Sequence, residues 1–452
     1  MSSIENQVGI ETYSTQIPGI GGKLRTKVKD FIVEEISPQG TIIKSLIVNQ
    51  KHPKHNLNFK NLSKNYSTYN LVLEKYNLET FSAIRKIATF LRIPYKNIGY
   101  AGLKDKRAIT TQQISISRIN PQQLSDFKSK RIYLNRIQIG KPIKLGDLIG
   151  NHFNIVIRQI NESKIQQRIN QIKEQILSSY IPNYYGHQRF GVIRPISHKV
   201  GRVLLYEDYE TALKIYLTAS FPQEKKEIQE LRTALQDSWP HVEANFPNGY
   251  YYEKRIIQSL KENSSNFKKI FKTIFPFRYT LLFIHAYQSY LFNKLLSARL
   301  TKAKLPLNQA VEGDHVAILD QFSLPTHAIY EVNSKNLNSI NKIISNGKGL
   351  LMFPLFGFDL DYSKNPLADI IAQLLEDENL KLILFKSHSN NKLHIKVIYR
   401  PISFRPKKLT ITINEPSNTS EGIIIRFNFS INKGSYATVL LREFMKTTPL
   451  NY

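Results

Sequence analysis

The 452-residue chain has no cysteine, one tryptophan and three methionines. Without cysteine there are no disulfides, no thiolate nucleophile and no zinc site built on sulfur. No apolar run reaches the roughly 18 residues that a membrane span needs. No basic stretch followed by an apolar core marks export, so a cytoplasmic location is expected. Nucleotide chemistry lacks its usual signatures: Gly347-Lys348-Gly349 does not have phosphate-loop spacing, and no glycine fingerprint follows a strand. HExxH and GxSxG are missing too, and the 11 histidines are scattered. Neither a metal nor a nucleotide cofactor is expected.

Acidic residues are scarce. Lys and Arg number 63 against 35 Asp and Glu, a net charge of +28, which points to a polyanionic partner. The excess is spread along the chain and comes with 24 Tyr and 24 Phe, side chains that stack on unpaired bases. RNA is favoured over a membrane surface, although a composition rich in Lys, Ile and Asn throughout would also raise the charge. With 41% hydrophobic residues the chain is globular, and its length suits about two or three domains at roughly 150 residues each.

Periodicity supplies the elements. The mixed segment 29–36 alternates as a short strand would, 68–76 reads as a strand, and alternation predicts strands at 132–139 and 153–157. A 3.6-residue apolar stripe predicts a helix over 79–92 with Thr80 as N-cap and Pro94 as stop, and another over 163–177. Residues 51–67 are basic and aperiodic, as in a loop. From about 205 to 405 charged helices and loops dominate, and HAYQSYLFN at 285–293 reads as one face of a helix. Near the end Ile423, Ile425, Phe427, Phe429 and Ile431 alternate strictly. The turn Lys433-Gly434-Ser435 then leads into a helix that Ser435 could cap, with an anion-binding N-terminus. Alternating strands near both ends predict one shared sheet, with 205–405 inserted between them.

One stretch concentrates chemistry. Residues 99–113, GYAGLKDKRAITTQQ, set Asp105 among Lys104, Lys106 and Arg107, at a predicted helix-to-strand junction. Nearby cations favour an ionised carboxylate, which could serve as nucleophile or general base. Taken alone, the stretch favours a solvated Asp turn bonded to its own backbone. NYYGHQRFG at 183–191 is similarly dense in aromatics, amides and glycine, without a core-like period.

In order along the chain, GIETYSTQIPGIGG and KDFIVEEI, GYAGLKDKRAITTQ, NYYGHQRFGVIRPISHKVGR, HAYQSYLFN and KGSYATVLLRE resemble the TruD family of tRNA pseudouridine synthases, its archaeal-like branch in particular. The resemblance implies an α+β fold: a pseudouridine synthase core, with a mixed, mainly antiparallel sheet and flanking helices, interrupted by an inserted α+β unit. The catalytic domain would comprise 1–204 and 406–452, and the insertion 205–405. It further implies cofactor-free isomerisation of uridine to pseudouridine, classically at position 13 of tRNA. Asp105 looks like the family's catalytic aspartate, with Lys104 beside it. Asn183 looks like the active-site asparagine, and Phe31 and Tyr436 like aromatics lining the uridine pocket. Tyr185 stands where the family often has Phe, so its hydroxyl needs a partner. The alternatives are a noncatalytic RNA-binding protein or RNA chaperone, and an enzyme cradling phosphate on the 102–107 turn. Asp105 separates the first, because a binding module gains nothing from a carboxylate facing RNA. The missing phosphate-loop spacing counts against the second.

Overall fold

The computed structural model describes residues 3–48, 50, 55–60, 62, 68–160, 164–262, 265–386, 393–414 and 422–452. Most of the predicted 51–67 loop, and Ser163 at the start of a predicted helix, lie outside them. In chain order the strands are β1 (Phe31–Ile36), β2 (Thr68–Tyr76), β3 (Ile98–Tyr100), β4 (Ile109–Ser117), β5 (Ile132–Ile139), β6 (Gly150–Ile160) and β7 (Ile181–Pro182). They continue with β8 (His315–Leu319), β9 (Pro325–Glu331), β10 (Gly349–Leu355), β11 (Ile398–Pro401), β12 (Ser403–Phe404), β13 (Lys407–Asn414) and β14 (Ile423–Asn432).

The large sheet runs β13-β14-β6-β1-β4-β2-β5, with β3 added on β4. Its β1–β4 pair is parallel and its other pairs are antiparallel. The expected shared sheet is present, since β14 pairs with β6 and β6 with β1. Strict alternation on β14 buries Ile425, Phe427, Phe429 and Ile431 in one core. That core also takes the Ile165, Ile169, Ile172 and Ile176 stripe of helix Ile165–Ser179, and Leu440 and Phe444 of helix Ala437–Met445. A second core sets Leu71, Leu73, Ile114, Ile116 and Leu134 against Ile84, Ile87, Ala88 and Leu91 of helix Thr80–Leu91. This is the mixed, mainly antiparallel α+β architecture anticipated from the sequence.

Between these parts lie helices and a smaller antiparallel sheet, β11-β10-β8-β9. The 25-residue helix Phe277–Thr301 carries HAYQSYLFN and buries residues from Phe283 onward. It packs on helix Ser197–Leu205 through Gly201, where an added Cβ would sit 1.9 Å from the Phe283 carbonyl oxygen. Right after the small sheet, β12 pairs with β7, bringing residues 401–404 against the strand that leads into Asn183.

Three local expectations change. Glu79, not Thr80, is the N-cap of its helix, because the Thr80 hydroxyl is engaged across the turn with Lys104. Tyr436 is the N-cap of the last helix and makes no side-chain cap hydrogen bond, so Ser435 does not cap it. The Asp105 turn joins β3 to β4 rather than a helix to a strand: the short β3 intervenes by pairing with Ile114–Ile116 of β4.

Candidate functional site

The 101–108 turn is clamped along its backbone. The Ala101 carbonyl accepts from Gly146 N–H at 2.8 Å, and Gly102 from the Gln112 amide at 3.0 Å. Lys104 N–H donates to the Thr80 hydroxyl at 3.0 Å. Lys75 donates its ammonium to the carbonyls of Lys104 and Asp105 at 3.3 and 2.5 Å. Gly99 starts this turn where only hydrogen fits, since a Cβ would lie 2.3 Å from the Ile143 carbonyl oxygen. With the main chain fixed, the direction of the Asp105 side chain is fixed too.

That carboxylate meets a distant cation. Arg25 Nη2 donates to Asp105 Oδ1 at 2.8 Å, and the aspartate side chain remains 26% exposed. The second carboxylate oxygen has no partner among the described residues. Arg25 sits at φ +53°, the left-handed region that non-glycine residues seldom adopt. Its guanidinium lies 4.2 Å over the Phe31 ring, a cation–π contact. Phe31 is fully buried, edge-on to Phe153.

The cations adjacent to Asp105 in sequence point elsewhere. Lys104 is buried and pairs with Glu35 at 2.8 Å. Lys106 and Arg107 are exposed. Beneath the turn, burial pushes the Lys75 ammonium down to about 8.

A second group forms around Arg400. Asn183 is buried, its N–H donating to the Ile402 carbonyl at 2.7 Å and its amide to the Pro401 carbonyl at 3.0 Å. Arg400 donates to the Asn183 carbonyl at 2.9 Å and stacks 4.0 Å over the Tyr185 ring. Tyr185 is flanked by Phe292 and, at 6.3 Å between centroids, by Tyr436. Asn293 fixes both backbone groups of Tyr185, accepting from its N–H at 2.8 Å and donating to its carbonyl at 3.0 Å. The Asn183 Oδ1 atom is buried without a partner among the described residues. Burial raises the Tyr436 phenol above its ordinary value, opposed by the Arg400 charge.

The two groups adjoin. Arg25 lines a small pocket together with Gly186, His187 and Thr438, and Gly186 packs against Thr438 and the Tyr436 ring. The sequence-predicted residues therefore fall into two linked sets, Asp105 and Phe31 joined by Arg25, and Asn183, Tyr185 and Tyr436 joined around Arg400. Lys104 faces Glu35 in the interior. Arg25, Lys75, Glu35, Arg400 and Asn293 were not singled out from the sequence. Asn293 carried a usable signal, a polar residue on the buried stripe of a helix, whereas Arg400 and Arg25 find partners 217 and 80 positions away. Among the described residues no group of three or more His, Asp or Glu could hold a metal ion. None of their helices is long and apolar enough to cross a membrane.

Comparison with known proteins finds relatives along nearly the whole chain. A family model described as tRNA pseudouridine synthase D (TruD) matches residues 7–444. A relative from Methanococcoides burtonii, named "Probable tRNA pseudouridine synthase D", is 35% identical over 99% of this chain and 98% of its own. One of the same name from Pyrococcus furiosus is 34% identical over 98% of this chain and 100% of its own. A crystal structure of the "Putative tRNA pseudouridine synthase D (TruD)" from Methanosarcina mazei superposes with a TM-score of 0.78 and 29% identity, covering 100% of both chains. On matches of this length, the chain belongs to the tRNA pseudouridine synthase D (TruD) family.

Proposed function

We propose that this chain is a tRNA pseudouridine synthase that isomerises uridine to pseudouridine at position 13, with Asp105 as its catalytic residue. The observation that carries this reading is the state of Asp105: one carboxylate oxygen held by Arg25 at 2.8 Å, the other without a partner among the described residues, on a clamped backbone. A carboxylate so oriented is suited to act on the glycosidic carbon or on the base. On either route the bond from N1 to the sugar breaks, the base turns, carbon five joins the sugar, the hydrogen on carbon five leaves as a proton, and the freed N1 takes up a proton. The base is isomerised without net oxidation.

The target must leave its stack, which costs on the order of a few kcal/mol. Tyr185 and Tyr436 offer ring faces to offset this, and the free Asn183 Oδ1 offers an acceptor to the base N–H. Phe31 and Lys104 act from behind, Phe31 by backing Arg25 and Lys104 by neutralising Glu35. On this reading residues 205–405 are the inserted unit, and a cytoplasmic site of action fits a tRNA substrate.

The test uses tRNA carrying tritium at carbon five of uridine. Wild-type protein should release tritium, and Asp105→Asn should abolish release while retaining tRNA affinity. An RNA-binding protein or chaperone would bind and release nothing, so absence of release from every tRNA would overturn the reading.

A further inference from the structure

We infer that a second nucleotide site lies beside the proposed uridine site and takes an unpaired nucleotide flanking the target, its base against an apolar wall and its phosphate among unpaired cations. The inference rests on the tRNA synthase reading above.

The site is a cavity of about 320 Å³ between the β8–β10 side of the small sheet, strand β12 and the β13–β14 edge of the large sheet, within the range of pockets that hold small ligands, roughly 300–1,000 Å³. One wall is apolar, built from Leu319, Leu324, Pro325 and Leu350. Facing it are Arg400, Arg405, Lys407 and Lys433, and no Asp or Glu lines the cavity. Each cation bonds a backbone carbonyl: Asn183 for Arg400, Leu177 for Arg405, Phe322 for Lys407 and Gly146 for Lys433. Carbonyls leave the net charges uncompensated, and among the described residues none of the four pairs with a carboxylate. Burial lowers the Lys407 ammonium, opposed by the Asp320 charge, but four cations without an ion pair around one cavity favour an anionic occupant.

The chemistry narrows the occupant. A bare phosphate would leave the apolar wall unused, and an apolar ligand would leave the charges unmet. A nucleotide satisfies both. Its place in the strand follows from Asn183, which is 2% exposed, lines this cavity, and belongs to the proposed uridine site. Gly434 and Ser435 line it as well, immediately before Tyr436 and the nine-residue helix Ala437–Met445, whose first turn lacks a side-chain cap. The walls are tied together, since Asn432 donates to the Ser323 carbonyl at 2.6 Å and Lys407 to that of Phe322 at 2.5 Å.

The experiment compares tritium release from intact tRNA and from two tRNAs with an abasic nucleotide immediately 5′ or 3′ of the target uridine. Wild-type kcat/KM should fall about tenfold on one of the abasic substrates, the scale of one stacked base. Leu324→Trp, which fills the cavity, should lose about tenfold on intact tRNA and nothing further on that abasic tRNA. Leu324→Ala, which cannot overfill it, should shrink the abasic penalty to about threefold. Losses that multiply in these variants, or a wild type indifferent to both abasic substrates, would overturn the second site while leaving the synthase reading standing. Wild-type protein that releases no tritium from intact tRNA would overturn both.

Discussion

Arg25 and Asp105 stand 80 positions apart and meet in a 2.8 Å ion pair whose guanidinium rests on the Phe31 ring. The ring restricts the guanidinium to one plane, so Asp105 is held at one oxygen by a partner that does not swing. Arg25→Met should therefore lower kcat about a hundredfold, as loss of one preorganised charged donor does, with KM for tRNA changed only a few-fold. Arg25→Lys should recover part of the loss, because the charge returns without the planar fork or the stacking. Single-turnover rates check both; an unchanged rate in Arg25→Met would remove Arg25 from the chemistry.

Lys75 gives the turn a pH signature. Burial lowers it to about 8, against an ordinary 10.5. Below about 8 the amine is protonated in both folded and unfolded chains, and the cost of burying an ammonium is fully present. Between the two values the unfolded chain holds a proton that the folded chain does not, so this group's contribution to stability rises with pH. The stability of wild type relative to Lys75→Met should increase by about 2 kcal/mol from pH 7.5 to 9.5, at about 1.4 kcal/mol per unit above pH 8. Urea unfolding of both proteins at the two pH values measures it, and an equal or smaller difference at pH 9.5 would contradict it.

What the sequence made legible follows from the range of each interaction. The period of β14 and the stripes of helices Thr80–Leu91 and Ile165–Ser179 are local patterns, and each buried the face that its pattern specified. The Asp105 turn was legible as a concentration of charge, but its ion pairing was not: Lys104 turns inward to Glu35, and Asp105 is met by Arg25. Sheet order decides that exchange, because β1 pairs beside β4 in parallel and brings residues 25–35 alongside 104–113. Arg400 was equally hidden, since it reaches Asn183 and Tyr185 through pairing of β12 with β7.

The N-terminal block GIETYST is held by the last helix. Arg442 is buried and pairs with Glu5 at 2.5 Å and Glu443 at 3.2 Å, while donating to the Thr12 carbonyl at 3.0 Å. Glu443 in turn accepts from the N–H groups of Ser14 and Thr15. Arg442→Met would leave two buried carboxylates without their cation, so it should destabilise the protein by about 3–5 kcal/mol. Urea denaturation would measure this. A loss below about 1 kcal/mol would mean that the pairs contribute no more than exposed ones.

Lys106 and Arg107 flank Asp105 and stay exposed, and neither forms an ion pair with a carboxylate among the described residues. On the tRNA reading they meet phosphates at the mouth of the site. Each phosphate contact adds roughly 0.7 to 0.9 to the slope of log affinity against log salt. The affinity of the wild type for tRNA should therefore fall steeply with salt, and Lys106→Gln/Arg107→Gln should flatten the slope by about 1.5. The single-turnover rate at saturating tRNA should stay within a few-fold of wild type, because neither cation holds the carboxylate that Arg25 holds. A salt titration of binding reads the slope. If the slope were unchanged and the rate collapsed, these two residues would belong to the chemistry of Asp105 and not to the grip on RNA.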